Sequence, residues 1–291
     1  MAVVEPAQLG QIPGRFGRLR RTGEQARAGR FLDKIAIGLL IVITGVAIFV
    51  PWIAPHSPTL PTQLPDLPPG HAALLGTDEV GRDILSRVLF GLRATWLAAL
   101  VVIASGVVIG GIVGLTAGAT GGWVDATLMR ITDGFLALPA PILALAVVAA
   151  LGPSYFHTLI AVMIVWWPYY ARIIRGEIRG LAARPHFEAA RLAGVPRIRL
   201  AVKHLLPGAA PTILVTASND VGALILTLAG LSFIGLGSPE PAPELGAMTA
   251  QGLPYLLTYW WIPIMPAITV FVLALVANMA GDGVRDLLGD L

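Results

Sequence analysis

The sequence predicts an all-α, polytopic membrane protein with six transmembrane helices. Of its 291 residues, 56% are hydrophobic and only 13% are charged, and the mean hydropathy is +0.77. One soluble core cannot bury that much apolar surface. The apolar residues also form continuous stretches, mostly about twice as long as the roughly ten alternating residues of a membrane β-strand. Helical spans of roughly 20 apolar residues therefore fit better than a barrel.

Six apolar stretches account for the six predicted spans. Several of them contain proline or glycine, which membrane helices tolerate when neighbouring helices satisfy the freed backbone groups. We therefore expect a tightly packed bundle. In chain order the stretches are residues 35–54, 96–118, 134–151, 158–171, 208–236 and 254–281.

Positive charge is concentrated in two parts of the chain. Seven of the twenty Lys and Arg residues precede Ile35, eight lie from Arg172 to Lys203, and none lies from His204 to Val284. Under the positive-inside rule both groups face the cytoplasm, and the four predicted spans between them allow this. Both termini are then cytoplasmic. The basicity therefore reports topology, and no nucleic-acid binding is expected.

The segment after the first span combines a proline-rich spacer with a charged helix start. Six prolines lie between positions 55 and 69, which favours extended chain. From Ile84 onward, apolar residues recur at helical spacing. We expect a separate amphipathic helix that lies along the membrane surface or packs on the ends of the spans. We favour a structural elbow over direct substrate contact, with Thr77 or Asp78 as its N-cap and its polar side in solvent. The residues on that polar side are Arg82, Asp83, Ser86 and Arg87.

A short helix is predicted in the basic segment 180–207, between the fourth and fifth spans. Residues 188–193 include three alanines, whose small side chains permit close approach by another surface. Gly194 and Pro196 end this helix. Apolar residues at helical spacing then predict a second helix at the membrane interface, and Pro207 opens the fifth span.

This segment resembles the cytoplasmic coupling loop of ATP-binding-cassette importer permeases, where Glu-Ala-Ala is followed after three residues by glycine and later by Leu-Pro. In the peptide-importer branch a basic residue and a histidine precede the Leu-Pro, as Lys203 and His204 do here. The residues that carry the resemblance are Phe187, Glu188, Ala189, Ala190, Ala193, Gly194, Leu206 and Pro207.

Four further motifs resemble the second, C-type membrane subunit of dipeptide and oligopeptide importers. The resemblance covers about residues 31–288 and implies the type I importer permease fold. We accordingly divide the chain into a flexible basic tail (1–30), a first span with its outer loop and amphipathic helix (31–93), and a five-helix core (94–288). The four motifs are GTDEVGRDILSR at 76–87, GGWVD at 121–125, LSFIGLG at 231–237 and GDGVRD at 281–286.

The resemblance implies a pore-forming subunit, not an enzyme, that is driven by its partners. These would be a second homologous permease, two ATPase subunits and an extracytoplasmic substrate-binding protein, all at the lipid of a plasma (inner) membrane. Residues 187–194 would dock on one ATPase. ATP and magnesium would belong to the ATPases, because the chain lacks the Walker A pattern and no cofactor is expected in it. Glu240 and Glu244, after the fifth span, are candidate contacts for the binding protein.

Polar residues within two spans are candidates for the translocation pathway. Asn219 and Asp220 lie in the fifth span and Asn278 lies in the sixth. An ionised carboxylate at the bilayer centre costs roughly 2.5–3.5 kcal/mol, so Asp220 is not expected to face lipid. Contact with water or a peptide amine, and an internal hydrogen bond to another helix, both remain open. Related permeases often carry glutamate where this chain has Leu228, and Asp220, about two turns earlier, lies on nearly the same face.

Three classes of function remain to be compared. The first is a permease subunit of an ATP-driven importer of di- or oligopeptides, or of glutathione, nickel complexes or haem. The second is an ion- or proton-coupled carrier that titrates Asp220, although no inverted repeat is visible. The third is a membrane enzyme, for which the sequence offers neither a catalytic constellation nor metal-ligand spacing.

Overall fold

The regular structure of the protein is helical. The computed structural model describes residues 23–152 and 154–289, and the one extended pairing within these ranges is an isolated bridge between Thr77 and Asp83. The predicted all-α class is confirmed. The α-helices of the described chain are α1 (Gly23–Ile53), α2 (Ile84–Thr120), α3 (Gly122–Leu136), α4 (Ala140–Leu151), α5 (Tyr155–Ala182), α6 (Pro185–Leu192), α7 (Arg197–Leu200), α8 (Leu206–Leu231), α9 (Leu245–Gly252) and α10 (Trp261–Gly289).

Within the described residues, four helical segments are long and apolar enough to cross a membrane. They lie in α1, in α2, in the continuous run from Ile198 to Leu236 that contains α8, and in α10. A fifth crossing results if α3 and α4, which meet at an 84° bend, form one span. α5 has 28 residues, but aromatic residues and Arg172 follow its apolar first half, so it does not meet the same measure. The count of six spans stays a prediction.

Two predicted boundaries differ from the structure. α1 begins at Gly23, so the end of the predicted tail 1–30 is helical, while residues 1–22 lie outside the described residues. The boundary predicted between residues 93 and 94 lies inside α2, which runs unbroken to Thr120. The predicted separate amphipathic helix is therefore the first part of the second span, because nothing in the sequence between them interrupts the helical backbone.

α2 packs closely against α5 because glycine recurs at every fourth residue along one face of α2. The series is Gly106, Gly110, Gly114 and Gly118. A Cβ atom at Gly114 would lie 2.6 Å from the carbonyl oxygen of Ala171 in α5. Small residues at this spacing let two membrane helices approach backbone to backbone.

Two reciprocal asparagine–glycine contacts join α8 to α10. Asn219 of α8 lies against Gly281 of α10, and Asn278 of α10 lies against Gly222 of α8. A Cβ atom at either glycine would overlap the facing side-chain amide. Each asparagine precedes its own glycine by three residues, so both contacts lie on the same helix faces. Two of the predicted pathway residues therefore lie at a helix–helix interface.

Buried apolar side chains form two main clusters along the bundle. We call the one nearer α6 the lower cluster and the one nearer the start of α2 the upper cluster. Trp166 and Ala217 pack against both, so the two clusters meet at their level. Buried members of the lower cluster include Tyr170, Ile174, Ile178, Phe187, Leu205 and Ile213, and those of the upper cluster include Trp96, Val102, Val162, Leu224, Leu231 and Leu273.

The polar residues at the start of α2 are buried, and our expectation that they face solvent is wrong. Arg82, Asp83, Ser86 and Arg87 are all at most 5% exposed. Asp83 is the N-cap in place of Thr77 or Asp78, since its Oδ2 accepts a hydrogen bond of 2.9 Å from the Ser86 N–H. The polar face of the first turns is covered by folded chain.

Arg87 explains how these charges are accommodated. Its Nη1 donates to the carbonyl of Pro58 at 2.9 Å and to that of Pro241 at 3.3 Å, while its Nε lies 3.5 Å from Asp78 Oδ2. The same Asp78 oxygen accepts from Arg82 Nε at 2.6 Å. Buried charges are tolerated when they are paired and hydrogen-bonded. Arg87 thereby ties the proline-rich segment and the loop after α8 to the start of α2.

Glu240 and Glu244 differ in exposure, although the sequence predicted the same role for both. Glu240 is exposed, whereas Glu244 is buried and turns inward. Its carboxylate accepts hydrogen bonds from the Ser232 hydroxyl and, at 2.5 Å, from the Ser238 N–H. The expectation that Glu244 contacts a soluble partner is therefore corrected. Its hydrogen bonds with Ser232 and Ser238 instead hold the loop against the end of α8.

The α2–α5 contact predicts a specific sensitivity to one added methyl group. Gly114→Ala places a Cβ atom against the α5 backbone, and such overpacking costs about 1–3 kcal/mol. Gly111→Ala is the matched control, because its Cβ would lie 3.9 Å from Ile174 Cδ1, which is an ordinary van der Waals contact. Both changes gain the same helix propensity. We expect a lower thermal unfolding midpoint in detergent for Gly114→Ala alone, and equal midpoints would contradict the close contact.

Candidate functional site between α5 and α8

The short helix α6 begins as its local sequence dictates. Arg184 has extended backbone angles, as the residue before a proline prefers. Pro185 then occupies the first turn, where its missing N–H costs nothing. Glu188 also lies in the first turn, where a negative charge is favoured by the helix dipole. The helix predicted at 188–193 is confirmed in type and begins three residues earlier.

Gly194 ends α6 through a Schellman motif. Its N–H donates to the Arg191 carbonyl at 3.1 Å, and the Val195 N–H donates to the Ala190 carbonyl at 3.2 Å. The Gly194 φ angle is +80°, a left-handed conformation that glycine adopts without a Cβ penalty. The prediction that Gly194 stops this helix is confirmed.

Phe187 anchors α6 to the bundle. Its side chain is 7% exposed and belongs to the lower cluster, and Ala190 and Val195 pack against the same cluster. The remaining face of α6 is open: Glu188, Ala189 and Ala193 are exposed. α6 therefore presents a mixed surface to the outside, with the two alanines beside Glu188 and the 86% exposed Leu192, while Phe187 fixes it to the lower cluster.

Leu206 and Pro207 do not begin a new helix. α7, a π-helical turn at Ala201–Leu205 and α8 form one continuous run, in which the Leu206 N–H donates to the Ala201 carbonyl. Pro207 lacks the N–H that a regular α-helix would use, and π-turns commonly absorb such interruptions. The sequence predicted a separate interface helix before Pro207. In the structure these residues form the first turns of the fifth span.

A charged contact that the sequence analysis did not predict holds α3 against the end of α5. Arg175 Nε donates to the Asp125 carboxylate, and Arg175 Nη2 donates to Asp125 Oδ2 at 2.8 Å. Arg179 Nη2 donates to the same Oδ2, also at 2.8 Å. Asp125 is 5% exposed. The arginines are four residues apart and therefore share a helix face. That spacing was visible in the sequence, but their partner is 50 residues away.

The short helix α6 is connected to long helices of the bundle on both sides. α5 ends just before α6, and α8 begins after α6, α7 and the π-helical turn. The short unit 183–205 therefore joins the two long helices. A cavity of about 220 Å³ separates that unit from the end of α2, and Arg179, Arg191 and Leu200 help to line it. α6 thus has space on the α2 side and a firm attachment through Phe187. A push on its exposed face would act on α5 and α8.

The predicted pathway residues lie apart from α6, in the middle of the bundle. Asp220 faces the hydroxyl of Tyr170 and the indole of Trp166, while Asn219 and Asn278 lie in the α8–α10 contact. The position of the missing glutamate, Leu228, is 7% exposed. It lines a small pocket together with Tyr155, Thr158 and Glu244. Glu244, and not Asp220, brings a carboxylate to that pocket.

A model of the family described as binding-protein-dependent transport system inner membrane component matches residues 106–289. The match includes α6 and the mid-bundle polar residues. The probable D,D-dipeptide transport system permease protein DdpC of Escherichia coli is 42% identical over 253 residues, which cover 86% of this chain and 84% of that protein. The di/tripeptide transport system permease protein DppC of Pseudomonas aeruginosa is 38% identical over 266 residues, with 88% of each chain covered.

The glutathione transport system permease protein GsiD of Pectobacterium atrosepticum is 35% identical over 288 residues, which cover 97% of this chain and 96% of that protein. Among solved structures, the MetNI methionine ABC transporter in an inward-facing conformation matches with a TM-score of 0.57. That match has 20% identity and covers 70% of this chain and 97% of the matched chain. The predicted type I importer permease fold is confirmed.

The two α3 carboxylates that pair with arginines of α5 provide a matched test of how α3 is held. In the Asp133–Arg172 pair both side chains are 55% exposed, whereas the Asp125 side chain is 7% exposed. Exposed pairs contribute about 0–1 kcal/mol, and hydrogen bonds to charged groups about 1.5–3 kcal/mol. We expect Asp125→Asn to lower the thermal unfolding midpoint clearly and Asp133→Asn to change it little. An equal or larger effect of Asp133→Asn would show that Asp125 does not hold α3.

Proposed function

Because the chain belongs to the family of binding-protein-dependent transport system inner membrane components, we propose that it is a membrane-spanning permease subunit of an ATP-driven importer. Two ATPase subunits would hold and hydrolyse ATP with magnesium. A second, homologous permease would complete the pathway, and an extracytoplasmic binding protein would deliver the cargo. α6 and both termini would face the cytoplasm, which agrees with the basic residues around α6.

One observation carries the proposed coupling role of α6. Phe187 belongs to the same continuous apolar cluster as Tyr170, which lies in the middle of α5. Protein interiors are close-packed, so a displacement at one end of such a cluster is not absorbed locally. The exposed residues Glu188, Ala189, Ala193 and Gly194 would contact the ATPase. Leu206 and Pro207 would join this unit to α8, and Asn219, Asp220 and Asn278 would lie along the translocation pathway.

Peptides are the proposed cargo. Two of the relatives described above are named for dipeptide and for di- and tripeptide transport, and both are more similar to this chain than the relative named for glutathione. Within the described residues, the buried polar atoms of the bundle include one carboxylate oxygen, that of Asp220, without a hydrogen-bond partner in this single chain. A carboxylate beside the pathway is compatible with cargo that carries an amine.

Reversing the charge on α6 tests the coupling role. Glu188 is exposed and belongs to no ion pair between described residues, so Glu188→Arg costs at most the helix-dipole contribution, about 0.3–1 kcal/mol. We expect the reconstituted complex to keep its ATPase activity while ATP-driven uptake falls by about tenfold or more, the effect of about 1.4 kcal/mol.

Asp286→Arg is the control for Glu188→Arg, because Asp286 is also exposed, belongs to no ion pair between described residues and lies in α10, outside α6. It should leave the ratio of uptake to ATP hydrolysis unchanged. Equal uptake by Glu188→Arg and the wild type would contradict a role for α6. Uptake by the isolated chain without ATPase subunits would instead support the ion- or proton-coupled carrier.

The cargo is tested with the complex as it is purified from membranes together with its accompanying chains. Mass spectrometry identifies those chains and any small molecule that they retain. Uptake into proteoliposomes is then measured for L-Ala-L-Ala, D-Ala-D-Ala, glutathione, a nickel–histidine complex and haem. We expect ATP-dependent uptake of a dipeptide. Uptake confined to glutathione, nickel or haem would overturn the peptide assignment and leave the importer intact.

A further inference from the structure

The cavity of about 220 Å³ beside α6 has a cationic mouth and an apolar floor. Arg179 and Arg191 line the cavity and are both exposed, so its charged side opens to the surface. Leu200 and Leu205 also line it and are at most 5% exposed, so its deep side is apolar. Apolar walls disfavour a small inorganic ion, because a buried charge needs polar partners on all sides. The cavity instead fits an amphiphile with one anionic end.

The two arginines bring more positive charge to the cavity than neighbouring carboxylates balance. Arg179 shares the Asp125 carboxylate with Arg175, so one negative charge serves two guanidinium groups. Arg191 belongs to no ion pair between described residues, not even with Glu188 three residues earlier on α6. Among the described residues that line the cavity there is no carboxylate. Guanidinium groups match the geometry of phosphate oxygens, so the mouth suits a phosphate group.

The cavity lies close to the edge of the membrane's hydrocarbon core. The apolar stretch of α2 ends at Gly118, which lines the cavity. Lys203 and His204 are the last basic residues before the apolar stretch of α8. Trp123, which follows α2 by three residues, is 78% exposed, and tryptophan is enriched where lipid meets water. The headgroup phosphates of the inner leaflet therefore lie at about the depth of the cavity.

We propose that an anionic phospholipid of the inner leaflet binds in this cavity, with its phosphate at the two arginines and its apolar part against the two leucines. This inference rests on the proposed importer function for one point, that α6 faces the cytoplasm. Basic pockets between the cytoplasmic ends of membrane helices are typical sites for anionic headgroups. The lipid would fill the space between α6 and the end of α2. A push on α6 would then reach α5 and α8 instead of closing an empty space.

Native mass spectrometry of the complex measures the lipid that it retains. The complete complex is purified in detergent, stripped of lipid and titrated with phosphatidylglycerol or with phosphatidylcholine, which has no net charge. We expect the cavity to retain phosphatidylglycerol alone, and we expect Arg191→Gln to weaken its binding about fivefold, the contribution of one basic residue beside anionic headgroups. Equally strong binding of phosphatidylcholine, or unchanged binding of phosphatidylglycerol in Arg191→Gln, would overturn the proposal.

Arg199→Gln is the matched control for Arg191→Gln. Arg199 is also exposed and belongs to no ion pair between described residues, but it lies outside the cavity lining. The control should leave the binding of phosphatidylglycerol unchanged. Equal losses in the two variants would show attraction to the basic surface as a whole and would overturn a site in the cavity.

Filling the apolar part of the cavity tests its location without changing a charge. Ala182 lines the cavity, whereas the next residue, Ala183, is exposed and lies outside the lining. We expect Ala182→Leu to lose phosphatidylglycerol as Arg191→Gln does, and Ala183→Leu to keep it. Equal retention in both would overturn the location. Should Ala182→Leu fail to assemble, as size-exclusion chromatography shows, the comparison of Arg191→Gln with Arg199→Gln still decides the question.

Chemical labelling separates a lipid from other occupants, because the chain contains no cysteine. Thr120 is exposed and lines the cavity, while Thr127 of α3 is exposed and lies outside the lining. In the complete complex, N-ethylmaleimide should modify Thr120→Cys more slowly in phosphatidylglycerol nanodiscs than in phosphatidylcholine nanodiscs, and Thr127→Cys equally fast in both. Protection of Thr120→Cys in both lipids would assign the cavity to a partner chain. Protection by inorganic phosphate alone would assign it to a free anion, and either result would overturn the lipid.

Transport provides a separate readout of the bound lipid. Uptake per ATP hydrolysed should be higher with phosphatidylglycerol than with phosphatidylcholine for the wild type and for Arg199→Gln, and the same in both lipids for Arg191→Gln. Lipid dependence that survives Arg191→Gln would overturn the proposed effect on α6. Absence of ATP-driven uptake in both lipids would reject the importer function itself. Lipid retention needs no transport, so it still decides whether the cavity binds a phospholipid.

Discussion

Four glycines along one face of α2 bring its backbone into contact with α5, and the other functional elements take their positions from that contact. Tyr170 lies on the α2 backbone because Gly106 and Gly110 have no side chain. Toward the other end of α5, Arg175 and Arg179 are placed to hold Asp125 of α3. α6 follows within three residues of the end of α5. A side chain at Gly114 would separate the helices and displace all of these groups together.

The distribution of polar contacts along the bundle indicates which parts are fixed. At one end, Arg87 joins three segments through Asp78 and two carbonyl groups. At the other end, Asp125 holds two arginines. Both sets are satisfied, and satisfied buried networks make a structure rigid.

Several elements were predictable because their causes lie within a few residues. Gly194 ends α6 through local backbone geometry, as predicted. The start was placed at Glu188, although Pro185 three residues earlier is a typical first-turn residue. The apolar stretches predicted helices because helical spans satisfy their own backbone groups in lipid. The burial of Arg87 and Glu244 was not predictable in this way. Exposure is the usual state of such side chains, and their partners come from distant segments, as Pro241 does for Arg87.

By itself, the sequence determined the helical class, the existence and the end of the short α6 helix, and the family resemblance, since each depends on residue type and short-range spacing. The tertiary structure alone decided that α2 runs unbroken from Ile84, that Asn219 and Asn278 pack against glycines, and that Asp220 faces Tyr170 and Trp166. These features depend on which helix faces meet. Helix packing is set by shape complementarity between segments far apart in the chain, which local patterns do not encode.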